Sequence, residues 1–311
     1  MRYTISKPLH GSPAWLAVRW QNEHGVARIS ASVAGAVHNE HPFKSAADLA
    51  NELLAIHPPE PVAPNKAMER GNRLEPVMIE WVADIENIQL HTPEVMYAYD
   101  EPAVRLIATL DAIDENGDVY EVKTSKTRWT GVLPRYWYWQ GIQQAICADV
   151  DKIEWVIFDG EMELKRHTQI VTSDERQMHI DACREFLSAI DTGNYPANCK
   201  LEYRHVAADH PESQDITMML PDEFKEVLSE LAETKKIIKE LEEREETLKT
   251  TVCAALGDAQ YGAIDGNVVC TWKTSRRNSL DSKALEAAHP ALVAKFRKET
   301  SYRTFNIKGA K

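Results

Sequence analysis

Cysteine is scarce in this chain and never clustered: five residues in 311 (Cys147, Cys183, Cys199, Cys253 and Cys270), with no Cys-x-x-Cys pair. That excludes a disulfide framework and removes support for a zinc or iron–sulfur site. It predicts small buried thiols in a reducing cytosol. The eleven histidines are scattered, without His-x-x-x-His or His-Glu-x-x-His spacing, so zinc chemistry lacks its ligands. A Gly-rich phosphate loop of the Walker type is also missing, which excludes ATP hydrolysis on this chain. No apolar run approaches a membrane span, and the N-terminus lacks the apolar centre of a signal peptide. Repeats and low-complexity tracts are absent, and the expectation is a cytoplasmic protein with no membrane partner.

What is present suits a globular protein with a sizeable core: 43% hydrophobic and 27% charged residues, with a net charge of −12. Charge is uneven. From 259 to 311 there are ten Lys and Arg against four Asp and Glu, a balance of +6, so the rest of the chain carries −18. An acidic total does not exclude DNA; it predicts a confined basic surface and marked salt sensitivity.

The pattern along the chain predicts helices at 13–20 and 30–37, with Ser30 or Ser32 capping the second. A stiff proline-rich loop at 58–64 precedes a helix at 65–86, broken or kinked near Pro76. Strands follow at 94–99, 104–111 and 118–123, then a helix at 133–148, strands at 152–158 and 164–172, and a helix at 174–190. The order implies an α/β (α+β) domain over 1–200, with a central mixed β-sheet flanked by helices. A linker is expected at 201–217, and 218–311 is expected to hold a long helix and a small basic α/β tail. Within it, Phe224, Val227, Leu231, Thr234, Ile238, Leu241, Glu245, Leu248, Val252 and Ala255 recur at steps of three and four, a heptad seam on a helix at 221–256 ended by Gly257. Because Thr234 and Glu245 weaken the stripe, the seam is expected to pack on its own domain rather than in an intermolecular coiled coil. The tail predicts strands at 261–264 and 268–273, a helix at 282–298 and a last strand at 304–307.

The chemistry concentrates at 104–124. Strand 104–111 and strand 118–124 flank Asp114-Glu-Asn116-Gly117-Asp118, a hairpin turn in which Asn-Gly tolerates positive φ. Alternation places Glu121 and Lys123 on one face and Val122 on the other, with Asp111 beside them on the neighbouring strand. Two carboxylates and a lysine there suit Mg²⁺ held against a phosphodiester; a solvated hairpin with charges on its outer face accounts for the hairpin equally well. A calcium loop is excluded, because its first ligand position is Ala112 and its bidentate glutamate position is Lys123. Glu75 shares a helix face with Met78, Ile79 and Val82, where a lone charge needs a counter-charge or a metal. In the aromatic helix 135–144, Tyr136, Gln140 and Gln144 share a face, and Gln140 stands out as an amide able to orient a water or the lysine.

The ordered set Arg19, Ile29-Ser-Ala-Ser32, Gly71-x-x-x-Glu75, Asp111, Glu121-Val122-Lys123 and Gln140 resembles the YqaJ-type viral recombinase and lambda exonuclease family, within the restriction-endonuclease-like nucleases, over residues 10–190. The resemblance implies a restriction-endonuclease-like core and a Mg²⁺-dependent DNA exonuclease, with Mn²⁺ able to substitute. It implies digestion of linear duplex from 5′ ends, leaving 3′ single strands for phage-type recombination by annealing. Asp111, Glu121 and the Val122 carbonyl would be the principal metal ligands, with Glu75 binding directly or through water. Lys123 would polarise the attacking water, helped by Gln140, and Arg19 and Ser32 would engage the 5′-phosphate. Partners implied are duplex DNA ends, an annealing protein and further copies in a trimeric ring, in a bacterial host carrying the phage or prophage. Lys126, Arg128, Lys273, Arg276, Arg277 and Arg303 are further expected DNA contacts, although a solvated face explains the tail cations equally. The family's Pro-Asp-Gly is Leu110-Asp111-Ala112 here, and the four-cysteine cluster of its iron–sulfur branch is absent. Rival readings are an endonuclease of the same superfamily and a non-catalytic DNA-binding recombination scaffold.

Overall fold

The computed structural model describes residues 1–55, 57–297 and 302–307, and divides into two units, Met1–Asp209 and His210–Lys311. The first contains β1 (Arg2–Ser6), α1 (Pro13–Trp20), β2 (Ile29–Ser30), a 3-10 turn (Ala31–Val33), α2 (Ala34–Val37), α3 (Ala46–Leu54), α4 (Lys66–Glu86), β3 (Leu90–His91), β4 (Val95–Glu101), β5 (Val104–Ala108), β6 (Ala112–Asp114), β7 (Val119–Thr124), α5 (Arg135–Ala148), β8 (Lys152–Phe158), β9 (Leu164–Ile170), α6 (Ser173–Asp191) and α7 (Tyr203–Asp209). It is a mixed α/β unit, but its strands form two sheets where one central sheet was expected. They run β1-β4-β5-β2 and β3-β6-β7-β8-β9, and each combines antiparallel with parallel pairs.

The break between the sheets falls at the site. The run 104–111 is not one strand: β5 ends at Ala108 and pairs with β4 and β2, whereas β6 starts at Ala112 and pairs with β7. Asp111 therefore lies in the crossing segment between sheets, not on a strand beside Glu121. The turn itself forms as its sequence requires. Gly117 has φ +85°, and the Asp114 carboxylate accepts from the backbone N–H groups of Asn116 and Asp118.

Helix α5 joins the sheets, packing against β4 and β5 of one and β8 of the other. Ten of its fourteen residues are buried, Gln140, Gln143 and Gln144 among them, so it has no solvent face to make it amphipathic. Gly141 permits the close approach: a Cβ there would lie 2.2 Å from the Gln169 side-chain oxygen and 3.0 Å from the Trp155 ring. On the other side, Met78, Ile79 and Val82 of α4 are buried against Ala112, Tyr120, Val122 and Val156. Helix α4 is continuous through Pro76, whose missing N–H leaves the Asn72 carbonyl without its helical donor. Residues 30–37 do not form one helix. Ser30 makes no side-chain cap because the Ser30 and Ser32 hydroxyls accept from Arg19 instead. Strand β1 and helix α3 had no counterpart in the sequence reading, and α7 forms where a linker was expected.

The second unit holds α8 (Phe224–Leu256), the hairpin β10 (Tyr261–Ile264) and β11 (Asn267–Thr271), α9 (Ser282–Ala288) and α10 (Pro290–Phe296). The helix expected at 282–298 is two, parted at His289-Pro290, and Lys298 lies outside the described residues. No strand forms at 304–307. The expectation that the α8 seam packs on its own domain is overturned, since α8 contains no buried residue. Among the cysteines, Cys147 and Cys183 are buried, while Cys199, Cys253 and Cys270 are only partly so. No helix among the described residues is long and apolar enough to cross a membrane.

Candidate active site

A cleft of about 420 Å³ opens where the two sheets part, and Glu75, Asp111, Glu121, Lys123 and Gln140 line it together with Arg19, Ser30 and Ser32. Each comes from a different constraint. Strand β7 supplies Glu121 and Lys123 from one face, and the Lys123 ammonium donates to Glu121 Oε1 at 2.6 Å. Helix α5 supplies two amides: Gln140 donates to the same oxygen, and Gln144 donates to Glu121 Oε2 at 2.6 Å and to the Thr109 carbonyl at 3.3 Å. Glu121 is only 2% exposed, which rules out a solvated hairpin face. Asp111 Oδ2 accepts from the Val122 N–H at 2.8 Å. Pairing of β6 with β7 stops at Tyr120, so this bond occupies the open edge of β7. Because N–H and C=O of one strand residue point the same way, the Val122 carbonyl emerges on that edge too.

The electrostatics are those of crowded negative charge. Burial, followed by repulsion from Glu121 and Glu75, lifts Asp111 well above the usual carboxylate range. Glu75 is raised by burial and by Glu121, with Lys123 and Lys7 opposing. Burial alone would lower Lys123, but Glu121 and Asp111 outweigh it and hold the ammonium above its ordinary pKa. Three carboxylates crowd one partly buried ammonium, and a divalent cation would relieve that excess. As the side chains stand, no group of three His, Cys, Asp or Glu among the described residues is gathered to hold a metal. The reason is visible: both Glu121 oxygens are turned to Lys123, Gln140 and Gln144. The donor set nevertheless fits a hard cation, being all oxygen, and Gln144 Oε1 is a buried acceptor without a donor beside it.

The other end of the cleft holds an arginine bonded to two serines. Arg19 donates to Ser30 Oγ at 2.9 Å and to Ser32 Oγ, and lies 3.9 Å from the Trp15 ring centroid. Burial pulls its pKa down to about 10, with Glu52 opposing, which leaves it charged at neutrality. The Trp15 indole N–H is buried without an acceptor. Lys7, His10, Trp15 and Asn72 also line the cleft and were not expected there, while Gln144, expected only to share a face with Gln140, turns out to bond Glu121. Trp15 and Gln144 had a signal, at i,i+4 from Arg19 and Gln140; Asn72 stands three before Glu75; Lys7 and His10 had none. Lys126 and Arg128 are exposed outside the cleft, with Arg128 paired to Glu161 at 3.4 Å. In the second unit Lys273 lies over the Tyr261 ring at 5.1 Å, Arg276 and Arg277 are exposed in an irregular segment, and Arg303 donates to the His210 carbonyl.

A buried polar relay anchors α5. Gln143 donates both amide hydrogens, to the Ile29 carbonyl at 2.8 Å and the Ile107 carbonyl at 3.0 Å, so its oxygen can only accept. His179 Nε2 must then carry the proton it shares with that oxygen at 3.1 Å, and His38 Nε2 must donate to His179 Nδ1 at 2.9 Å. Burial depresses His38 to about 4 and His179 well below its ordinary value, so both rings are neutral. The relay ties α5 to the strands that carry Ser30 and Ile107 at the cleft.

A carboxylate–lysine centre beside an arginine–serine pocket, in a mixed α/β unit, is what this geometry defines. Residues 14–151 match the family model of the YqaJ-like viral recombinase domain. The uncharacterized protein YqaJ of Bacillus subtilis (strain 168) is 29% identical over 116 residues, 37% of this chain and 35% of that one. The chain thus spans about a third of the length of that curated relative. Among solved structures, an alkaline exonuclease from Laribacter hongkongensis has TM-score 0.44 at 18% identity, covering 58% of this chain and 95% of its own. Its complex with dAMP has TM-score 0.47 at 16% identity, covering 58% and 93%. A phage related exonuclease from Haemophilus somnus 129PT has TM-score 0.41 at 12% identity, covering 54% and 96%.

Proposed function

We propose that the first unit is a metal-dependent DNA exonuclease that degrades linear duplex from 5′ ends and leaves 3′ single strands for recombination by annealing. The observation that carries this reading is the single cleft in which Asp111, Glu121, Glu75 and Lys123 face the Arg19–Ser30–Ser32 pocket. Asp111, Glu121 and the Val122 carbonyl would hold Mg²⁺ or Mn²⁺, with Glu75 completing the set, once Glu121 gives up part of its bonding to the amides. Such an ion supplies positive charge to the phosphoryl oxygens and acidifies a bound water. The chain's own groups do the rest. Lys123, kept protonated by its carboxylate neighbours, orients the attacking water and offsets charge building on the phosphate. Gln140 and Gln144 hold Glu121 in place. Arg19, with the Ser30 and Ser32 hydroxyls, grips a terminal phosphate and so sets which bond reaches the carboxylates. The cations Lys126, Arg128, Lys273, Arg276 and Arg277 would add sequence-independent contacts to the backbone. Assembly into a ring of copies and partnership with an annealing protein belong to the same reading.

The test is digestion of linear duplex labelled at either end, with and without a 5′-phosphate, alongside a covalently closed circle. Release of label from the 5′ end, faster with the phosphate and absent from the circle, is expected. Cutting of the circle would make this an endonuclease. An undigested linear duplex with Mg²⁺ and with Mn²⁺ would leave a DNA-binding scaffold.

A further inference from the structure

The 33 residues of α8 extend about 50 Å and bury none of their side chains. Leu241 and Leu248 on the seam are 58% and 59% exposed. An unpartnered helix with such a seam is marginal in water, and pairing supplies the missing burial. We propose that α8 pairs with α8 of a second copy of this chain, antiparallel and in full overlap.

The seam's own order selects this partner. In an antiparallel pair the a and d positions of one helix face the d and a positions of the other. Full overlap then sets Phe224 against Ala255 of the second copy, Val227 against Val252, Leu231 against Leu248 and Ile238 against Leu241. The two polar seam residues, Thr234 and Glu245, meet each other, so every remaining layer is apolar. Phe224 against Ala255 matches the largest seam residue with the smallest. On the flank, Lys235 of each helix comes nearest Glu242 of the other, an opposite-charge contact made twice by symmetry. Glu245 brings its own counter-ion, Lys249 at 2.7 Å.

A parallel pair fails on the same residues. It puts Glu245 against Glu245 in the seam and Arg244 beside Lys249 on the flank, with Glu230 beside Lys235 as its favourable contact. Like charges in those places oppose association.

The experiment is light scattering on the full-length protein over a range of concentrations, with charge variants on the flank that leave the seam intact. The expected mass is an even multiple of the 35.2 kDa chain: two copies, or six where two rings of three are joined through α8. Lys235→Glu places like charges at both ends of the contact and is expected to raise the dissociation constant roughly tenfold. Adding Glu242→Lys is expected to restore it to within about twofold, since the swap rebuilds both pairs. Rescue by Glu230→Lys instead would establish the parallel arrangement and overturn the proposal. So would a monomer at every concentration, which would mean the seam is covered by its own chain, an odd-numbered assembly, or no response to Lys235→Glu.

Discussion

Helices α5 and α8 make opposite use of apolar residues. Helix α5 has fourteen residues, ten of them buried, and no amphipathic pattern, because neighbours cover it on nearly every side. Helix α8 has 33 residues in a regular seam and buries none. Periodicity thus marks a helix that presents one face to a partner, and loses its signal where a helix is enclosed. The difference also separates functions. The enclosed helix holds Gln140 and Gln144 to Glu121, while the exposed one is available for association.

That contrast can be tested from its strongest consequence downward. If the chemistry lies beside α5, Lys123→Ala should reduce cutting on the order of a thousandfold while DNA binding in a gel-shift assay is largely spared. Full activity in that variant would falsify the assigned role of the lysine. For packing, Ile142→Ala on α5, at 0% exposure, should cost about 2–5 kcal/mol in denaturant unfolding of the first unit. Leu241→Ala on α8 should move that same transition by less than about 0.5 kcal/mol. Equal shifts would erase the distinction between the helices.

Gly141→Ala tests how closely α5 must approach β8. The added Cβ meets the Gln169 oxygen and the Trp155 ring, and a cost of about 1–3 kcal/mol together with a lower kcat is expected. The relay beneath α5 predicts a pH dependence. His38 and His179 are neutral in the fold, with pKa values below the unfolded value of about 6.5, so acid favours the unfolded chain. Their contribution is complete above about pH 6.5 and is lost as pH falls toward 4, by up to about 1.4 kcal/mol per unit for each ring. A His38→Gln variant should flatten part of that slope in urea titrations. The smallest effect concerns the tail: Arg276→Ala/Arg277→Ala should weaken DNA binding uniformly and lower its salt slope by about two. Unchanged affinity and slope would remove the tail from DNA contact.

Much of the fold was legible, and for local reasons. Helices α1, α6 and α8, strands β7 and β8 and the turn at Gly117 follow from caps, alternation and turn chemistry within a few residues. The strand expected at 104–111 was not legible. Its apolar alternation is continuous, and only competition between two sheets ends β5 at Ala108 and starts β6 at Ala112. The same event moved Asp111 from a strand into the crossing segment, where it bonds the Val122 N–H. Lys7 and His10 reach the cleft through a loop with no periodicity to announce them. Helix α7 was missed because one short turn-forming segment carries too little pattern to separate from a linker.

The amino-acid order alone settled which residue types are available: an Asp, a Glu-x-Lys strand, a second Glu on a helix, an amide pair one turn apart, and a heptad seam with two polar interruptions. Those are properties of spacing within single elements. Tertiary structure decided that the carboxylates crowd one ammonium, that Arg19 is held by two serines at the far end of the same cleft, and that the seam is left bare. Each of these depends on segments distant in sequence meeting in space. Neither periodicity nor propensity encodes such meetings, because both act within one element.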